Sequence, residues 1–182
     1  MTLDTAVSRL GARIRAARTE RGRSLREAAR ALGVSPSLLS QIELGAVRPS
    51  VATLYRVVQE FGISLDEVFA DGDADAEPYV RRAAARERIE LGNGVAWERL
   101  TPGRDETVDF VRVSYEPGEP GERLRHAGHE YGTLVEGSLH VEVGADAFEL
   151  HEGDSVAFPS SLPHRMWSEH GATAIWVSVG NR

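Results

Sequence analysis

The 182 residues are 41% hydrophobic and 27% charged, an ordinary globular balance with enough apolar material for one large core or two small ones. The absence of cysteine excludes disulfides, thiolate metal ligands and a cysteine nucleophile, and no apolar run approaches the ~20 residues of a membrane-spanning helix. The formal charge of −7 speaks against nucleic acid only until it is divided: residues 1–70 hold ten Arg against seven acids, and residues 71–182 hold eleven Arg against 21. The basic first part suits phosphate contact, and the acidic second part should face away from it. All six histidines fall in the second part. The first residues lack the apolar centre of a signal peptide, so a cytoplasmic protein is expected.

The first helix is expected from about Thr5 to Thr19, because Val7, Leu10, Ile14 and Ala17 recur at spacings of three and four and Gly22 closes it. Arg13, Arg15 and Arg18 decorate its polar side. Ser24 and Glu27 form a capping box that opens a second helix with the stripe Leu25, Ala28, Ala29 and Leu32, and Gly33 stops it. Ser35 is the next N-cap with Pro36 at the first helical position; Leu39 and Ile42 form the buried side, and Gly45 ends the helix. Its other side carries Ser37, Ser40 and Gln41, short polar groups suited to base edges and phosphates in a major groove. Arg48 lies in the following loop within reach of phosphate. Ser50 caps a fourth helix with the stripe Leu54, Val57, Val58 and Phe61. Ser64 with Glu67 caps a short fifth, carrying Leu65, Val68 and Phe69.

The runs Ala28-Ala29-x-x-x-Gly33-Val34-Ser35, Leu39-Ser40-Gln41-Ile42-Glu43-x-Gly45 and Arg48-Pro49-Ser50-x-x-Thr53-Leu54 resemble the phage-repressor-like, or XRE-type, DNA-binding domain over roughly Leu10 to Phe69. That resemblance implies a five-helix helix-turn-helix bundle that reads double-stranded DNA. Ser35 and Arg48 are then expected on phosphates. Ser37, Ser40 and Gln41, with Pro36 and Leu38, are expected near base edges, Gln41 foremost.

Residues 71–78 are small and acidic and form a linker, so a DNA-binding domain at 1–70 and a second domain at 79–182 are expected. Tyr79 to Glu90 is either a short strand or an arm. From about Val95 the apolar period becomes two: Val111, Val113 and Tyr115, then Leu139, Val141 and Val143, then Ile175, Val177 and Val179, with Gly- and Pro-rich turns between. An antiparallel sandwich or barrel follows, and the whole chain is a multidomain α + β protein.

His126 and Glu130 stand four apart with His164 far along the chain. Four residues of ideal strand span about 13 Å, too far for one ion, unless Gly128 bends the strand between them. Two His and a carboxylate would hold one divalent transition metal, Fe, Mn, Ni or Zn, with positions left open. The pattern His126-x-x-x-Glu130-x-x-x-x-x-x-Gly137 followed by Gly153-Asp154-x-x-x-x-Pro159-x-x-x-Pro163-His164 resembles the two motifs of the cupin family, small jelly-roll barrels. It departs at Leu124, where a further His is usual, and at Ser161 and Ser168. The resemblance leaves two alternatives open, a metal site or an organic effector held without metal. The expected effector-binding residues are His126, His129, Glu130, Tyr131 and His164, with Arg112 and Arg125 as anchors for an anionic group and Arg165 beside them. His140, His151 and His170 read as surface groups. Trp97, Trp167, Trp176 and Phe158 read as core or pocket walls.

Together the two resemblances imply a transcription regulator whose DNA affinity is controlled by a small molecule in the barrel. A homodimer would place two reading helices in successive major grooves about 34 Å apart on a palindromic operator. No catalytic residues are expected. The alternative is a mononuclear iron oxygenase or epoxidase of the cupin type that carries a helix-turn-helix domain.

Overall fold

A computed structural model describes residues 3–63, 68–69, 79–102 and 108–180. Its helices are α1 Leu3–Glu20, α2 Leu25–Leu32, α3 Pro36–Glu43 and α4 Val51–Phe61. Three of them begin where serine caps them. The Ser24 hydroxyl accepts the Glu27 N–H while the Glu27 carboxylate accepts the Ser24 N–H at 2.9 Å. Ser35 and Ser50 accept the N–H groups of Leu38 and Thr53, both at 3.1 Å. Leu10, Ile14, Leu32, Leu39, Ile42, Leu54, Val57 and Phe61 are all at most 2% exposed and form the helical core. The helices pack tightly because Gly11 has no side chain: a Cβ there would lie 2.3 Å from the Ile42 carbonyl oxygen, so a larger residue would force α1 off α3.

Four helices are seen among the described residues, not five. The fifth was expected from the Ser64–Glu67 cap, and residues 64–67 lie outside the described set, as does the expected linker at 71–78. Val68 and Phe69 are described, and both are buried in the helical core. No described helix is long and apolar enough to cross a membrane.

After a 3-10 turn at Ala83–Ala85 come eight strands: β1 Arg88–Glu90, β2 Val95–Arg99, β3 Val108–Tyr115, β4 His129–Val143, β5 Asp146–His151, β6 Ser155–Pro159, β7 His164–Trp167 and β8 Ala172–Val179. The segment left open between strand and arm thus ends in a strand. These strands pair antiparallel, in the order β1-β2-β3-β8-β4-β5, with β6 and β7 also on β4. β4 joins the two halves of the sandwich. Its first half pairs with β6 and β8, and its second half with β5 and β7. The register shift between Leu134 and Glu136 marks the change, as a bulge that bends the strand. Alternation then turns Val111, Val113, Leu139, Val141, Ala174 and Trp176 inward, where all are buried.

The helical half docks on the barrel. The Gly92 N–H donates to the Pro49 carbonyl at 2.8 Å, Arg56 pairs with Glu122 at 2.6 Å, and Tyr55 on α4 meets Trp97 on β2 edge-on with ring centroids 5.9 Å apart.

Candidate DNA interface and barrel pocket

α3 buries Leu39, Ile42 and Glu43 against the bundle and leaves Ser35, Pro36, Ser37 and Gln41 exposed. Ser40 and Leu38 are half-buried, and Leu38 packs on the core. Ser37 and Gln41 are one turn apart and share a face, which continues to Leu44, 67% exposed. Leu44 went unnamed in the sequence reading; an apolar residue one turn beyond Gln41 on a polar face is its only signal. Arg18, expected on the polar surface of α1, instead pairs with Glu43 and so ties α1 to the end of α3. Arg48 is partly exposed, with Nη1 3.9 Å from the Glu90 carboxylate on β1.

In the barrel, Glu130 enters on β4, His164 on β7, and His126 stands just before β4. The bend anticipated at Gly128 is present: its φ is +93°, and a Cβ there would lie 2.2 Å from the Val179 carbonyl oxygen. His126 and Glu130 are thereby brought together, with Nε2 2.7 Å from Oε1, and His164 Nε2 lies 3.5 Å from the same oxygen. All three side chains are buried. His126 Nδ1 bonds the Ala127 carbonyl and His164 Nδ1 the Leu162 carbonyl, both at 2.8 Å. A carbonyl only accepts, so both Nδ1 atoms donate, which turns both Nε2 atoms toward the carboxylate.

Burial opposes charge on Glu130, yet the hydrogen bonds and charges of His126 and His164 outweigh it and hold its pKa below the usual carboxylate value. Burial likewise opposes protonation of His164, and the bond to Glu130 and its charge outweigh that and raise the pKa. The three ligand atoms lie within 4.8 Å of one another. Two imidazole Nε2 atoms oriented by backbone carbonyls, converging on one carboxylate, are a donor set that fits a divalent transition metal.

Glu130 and His164 line a cavity of about 90 Å³, and His126 stands behind the cavity wall, against the Tyr55 ring. Four more carboxylates reach its wall, Asp109, Glu116, Glu119 and Glu122, against one guanidinium, Arg165, which is itself bound to Glu142 at 2.8 and 2.9 Å. The structure does not bring His129, Tyr131, Arg112 or Arg125 to this cavity. Because Glu130 points inward, strand alternation turns His129 and Tyr131 to the outer face, where both are exposed. Arg112 lies outward between the inward Val111 and Val113, with Nη1 3.6 Å from Glu98, and Arg125 is exposed. Of the three expected anion anchors, Arg165 lines the cavity, held there by Glu142, and Arg112 and Arg125 do not. His140 stacks on Trp167 at 4.9 Å, and His151 and His170 are exposed. Among the wall residues that went unnamed in the sequence reading is Tyr55 of α4, whose ring is stacked on His126. Its signal was a bulky aromatic off the apolar stripe of its helix.

Comparison with known proteins matches both halves. A family model described as helix-turn-helix fits residues 14–68, and one described as cupin domain fits residues 111–180. Over 157 residues the chain is 32% identical to the HTH-type transcriptional regulator PuuR of Escherichia coli (strain K12), covering 85% of this chain and 84% of that one. It is similar over the full length of both chains to an HTH_3 family transcriptional regulator from Vibrio cholerae, with TM-score 0.72 and 22% identity. An RmlC-like cupin from Shewanella frigidimarina matches 59% of this chain and 95% of its own, with TM-score 0.53 and 22% identity. At these identities the two solved structures speak for the fold.

Proposed function

This chain belongs to the helix-turn-helix transcriptional regulators of XRE type that carry a C-terminal cupin domain, and we propose that the barrel cavity sets its affinity for an operator. The observation that carries this reading is the convergence of His126, Glu130 and His164 on one buried point beside a cavity. These residues would hold one divalent metal ion, which when bound supplies open coordination positions for donor atoms of a small-molecule effector. The protein's own groups do the rest. The Ala127 and Leu162 carbonyls hold both rings with Nε2 inward, and Tyr55, Trp97 and Trp176 wall the space. The effector favours one arrangement of the reading domains, and affinity for DNA changes by its differential binding energy.

At the other end, Ser35 and Arg48 hold phosphates, and Gln41 with Ser37 and Ser40 reads base edges beside Pro36 and Leu38. The exposed Leu44 suits a thymine methyl group. The protein acts in the cytoplasm as a homodimer on a palindromic operator. Support for the dimer is an apolar row on the outer sheet face, where Phe110, Val177 and Tyr131 are register neighbours, with Phe110 37% and Tyr131 49% exposed. The reading is of a regulator without catalytic activity.

The test is a genome-wide map of bound DNA in cells grown with and without a metal chelator. The expected result is enrichment at palindromic sites whose occupancy depends on the chelator. No enrichment in either condition would sink the regulator reading. Oxygen-dependent turnover of a small substrate by the Fe(II)-loaded protein would favour the oxygenase.

A further inference from the structure

We propose that the cavity is a site shared by both domains, in which α4 of the reading domain supplies one wall and Tyr55 couples occupancy of the His126–Glu130–His164 site to α3. The proposal rests on the reading of the cavity as the effector site. α4 has two buried faces. Leu54, Val57 and Phe61, at most 1% exposed, face the helical core. Ala52 and Tyr55, 4% and 7% exposed, lie nearly half a turn around the helix and are covered by the barrel. A helix that served only the bundle would leave that second face in water.

The contacts of Tyr55 are with the site itself. Its ring lies flat on His126, centroids 4.3 Å apart and planes 6° from parallel, and it meets Trp97 edge-on. Ser178 on β8 lines the same cavity as Tyr55. Ser50, Val51 and Ala52, in the preceding turn, line the same cavity. His126 is confined on its other sides by Glu130, by the Ala127 carbonyl and by a backbone bond from its N–H to Ser160 at 2.9 Å. An occupant that draws His126 Nε2 toward itself therefore either carries Tyr55 with the ring or breaks the stack. Either outcome changes how α4 is seated. α4 is joined to α3 by one short loop, whose Pro49 carbonyl is held by the Gly92 N–H at 2.8 Å, so α3 moves with it. Packed interfaces respond to such small shifts by switching between discrete arrangements.

The test uses the full-length chain, Zn(II) and Mn(II) as probes, and an operator taken from the binding map. Two quantities are measured. The first is the ratio of operator Kd with and without saturating probe, in the unaltered protein, Tyr55→Phe and Tyr55→Leu. The second is amide exchange of α4 in a double-mutant cycle of Tyr55→Leu with His126→Gln, without probe. The expected ratio departs from one by roughly 5- to 150-fold in the unaltered protein and in Tyr55→Phe, which keeps the stack, and returns toward one in Tyr55→Leu. The cycle is expected to be non-additive. A Tyr55→Leu protein that keeps the full ratio, or an additive cycle, overturns the proposal. If neither probe shifts DNA binding in the unaltered protein while the cycle is non-additive, metal control of DNA binding fails and the shared wall stands. Should Tyr55→Leu not fold, Tyr55→Met removes the ring face while keeping bulk and takes its place.

Discussion

Arg18 on α1 grips Glu43 at the end of α3 through two hydrogen bonds of 2.6 and 2.9 Å, with side chains only 11% and 5% exposed. The pair fixes the C-terminal end of the reading helix to the longest helix of the bundle. Removing one partner strands the other charge, so Glu43→Ala should cost about 3 kcal/mol of helical-domain stability. Replacing both, as Arg18→Met with Glu43→Leu, should recover much of that loss. Urea unfolding followed by helical circular dichroism decides it; a loss under about 1 kcal/mol in Glu43→Ala would mean the pair is solvated, as surface pairs are.

Reading and anchoring should separate on α3 and its following loop. Gln41→Ala is expected to weaken operator binding by about 1–3 kcal/mol and binding to random DNA hardly at all. Arg48→Ala should weaken both alike and lower the salt slope by about one. Because Arg48 lies 3.9 Å from Glu90, Glu90→Gln should tighten binding to any sequence. Anisotropy titrations across a salt series test all three, and equal losses on operator and random DNA for Gln41→Ala would remove it from base reading.

Protein purified without chelator should hold about one transition-metal ion per chain, lost in His126→Ala and in Glu130→Gln. Gly128→Ala should lose it too, at a stability cost of about 1–3 kcal/mol, because φ +93° and the Val179 carbonyl at 2.2 Å leave no room for a Cβ. Elemental analysis with thermal melts checks both parts. Metal-free unaltered protein would point to an organic effector alone.

Glu142 is held down to about 2 from an ordinary value of 4.5, first by the hydrogen bond from Arg165, then against desolvation by that from Arg123. A carboxyl whose pKa is depressed in the folded state stabilises fully above its unfolded pKa. That contribution fades as pH falls from about 4.5 through about 2. The melting temperature of the unaltered protein should therefore drop more steeply in that window than that of Glu142→Gln. Parallel curves would show that the Arg165 and Arg123 contacts do not shift its titration.

Much of the reading domain is legible locally, because caps and stripes are local. Ser24 with Glu27, Ser35 with Pro36, and Ser50 each announce a helix within a few residues, and all three helices begin there. The barrel is legible from its period of two. The bend at Gly128 is legible because only a kink brings His126 to Glu130. Alternation from Glu130 also contained the outward direction of His129 and Tyr131, a signal the cupin resemblance obscured. The Arg18–Glu43 and Arg165–Glu142 pairs join residues 25 and 23 apart and have no local signature.

From sequence alone follow a helical half and a strand half, a polar face on α3 suited to DNA, and three side chains able to meet one ion. The first two rest on caps and periodicity, physics that acts within one element, and the third on the cupin resemblance with the bend at Gly128. Tertiary structure decided that α4 is buried on two sides and that Tyr55 lies on His126. A helix's stripe records only the partner that covers most of it. A second partner that meets it through two residues leaves no period to read, and its place is set by how the two cores fit together.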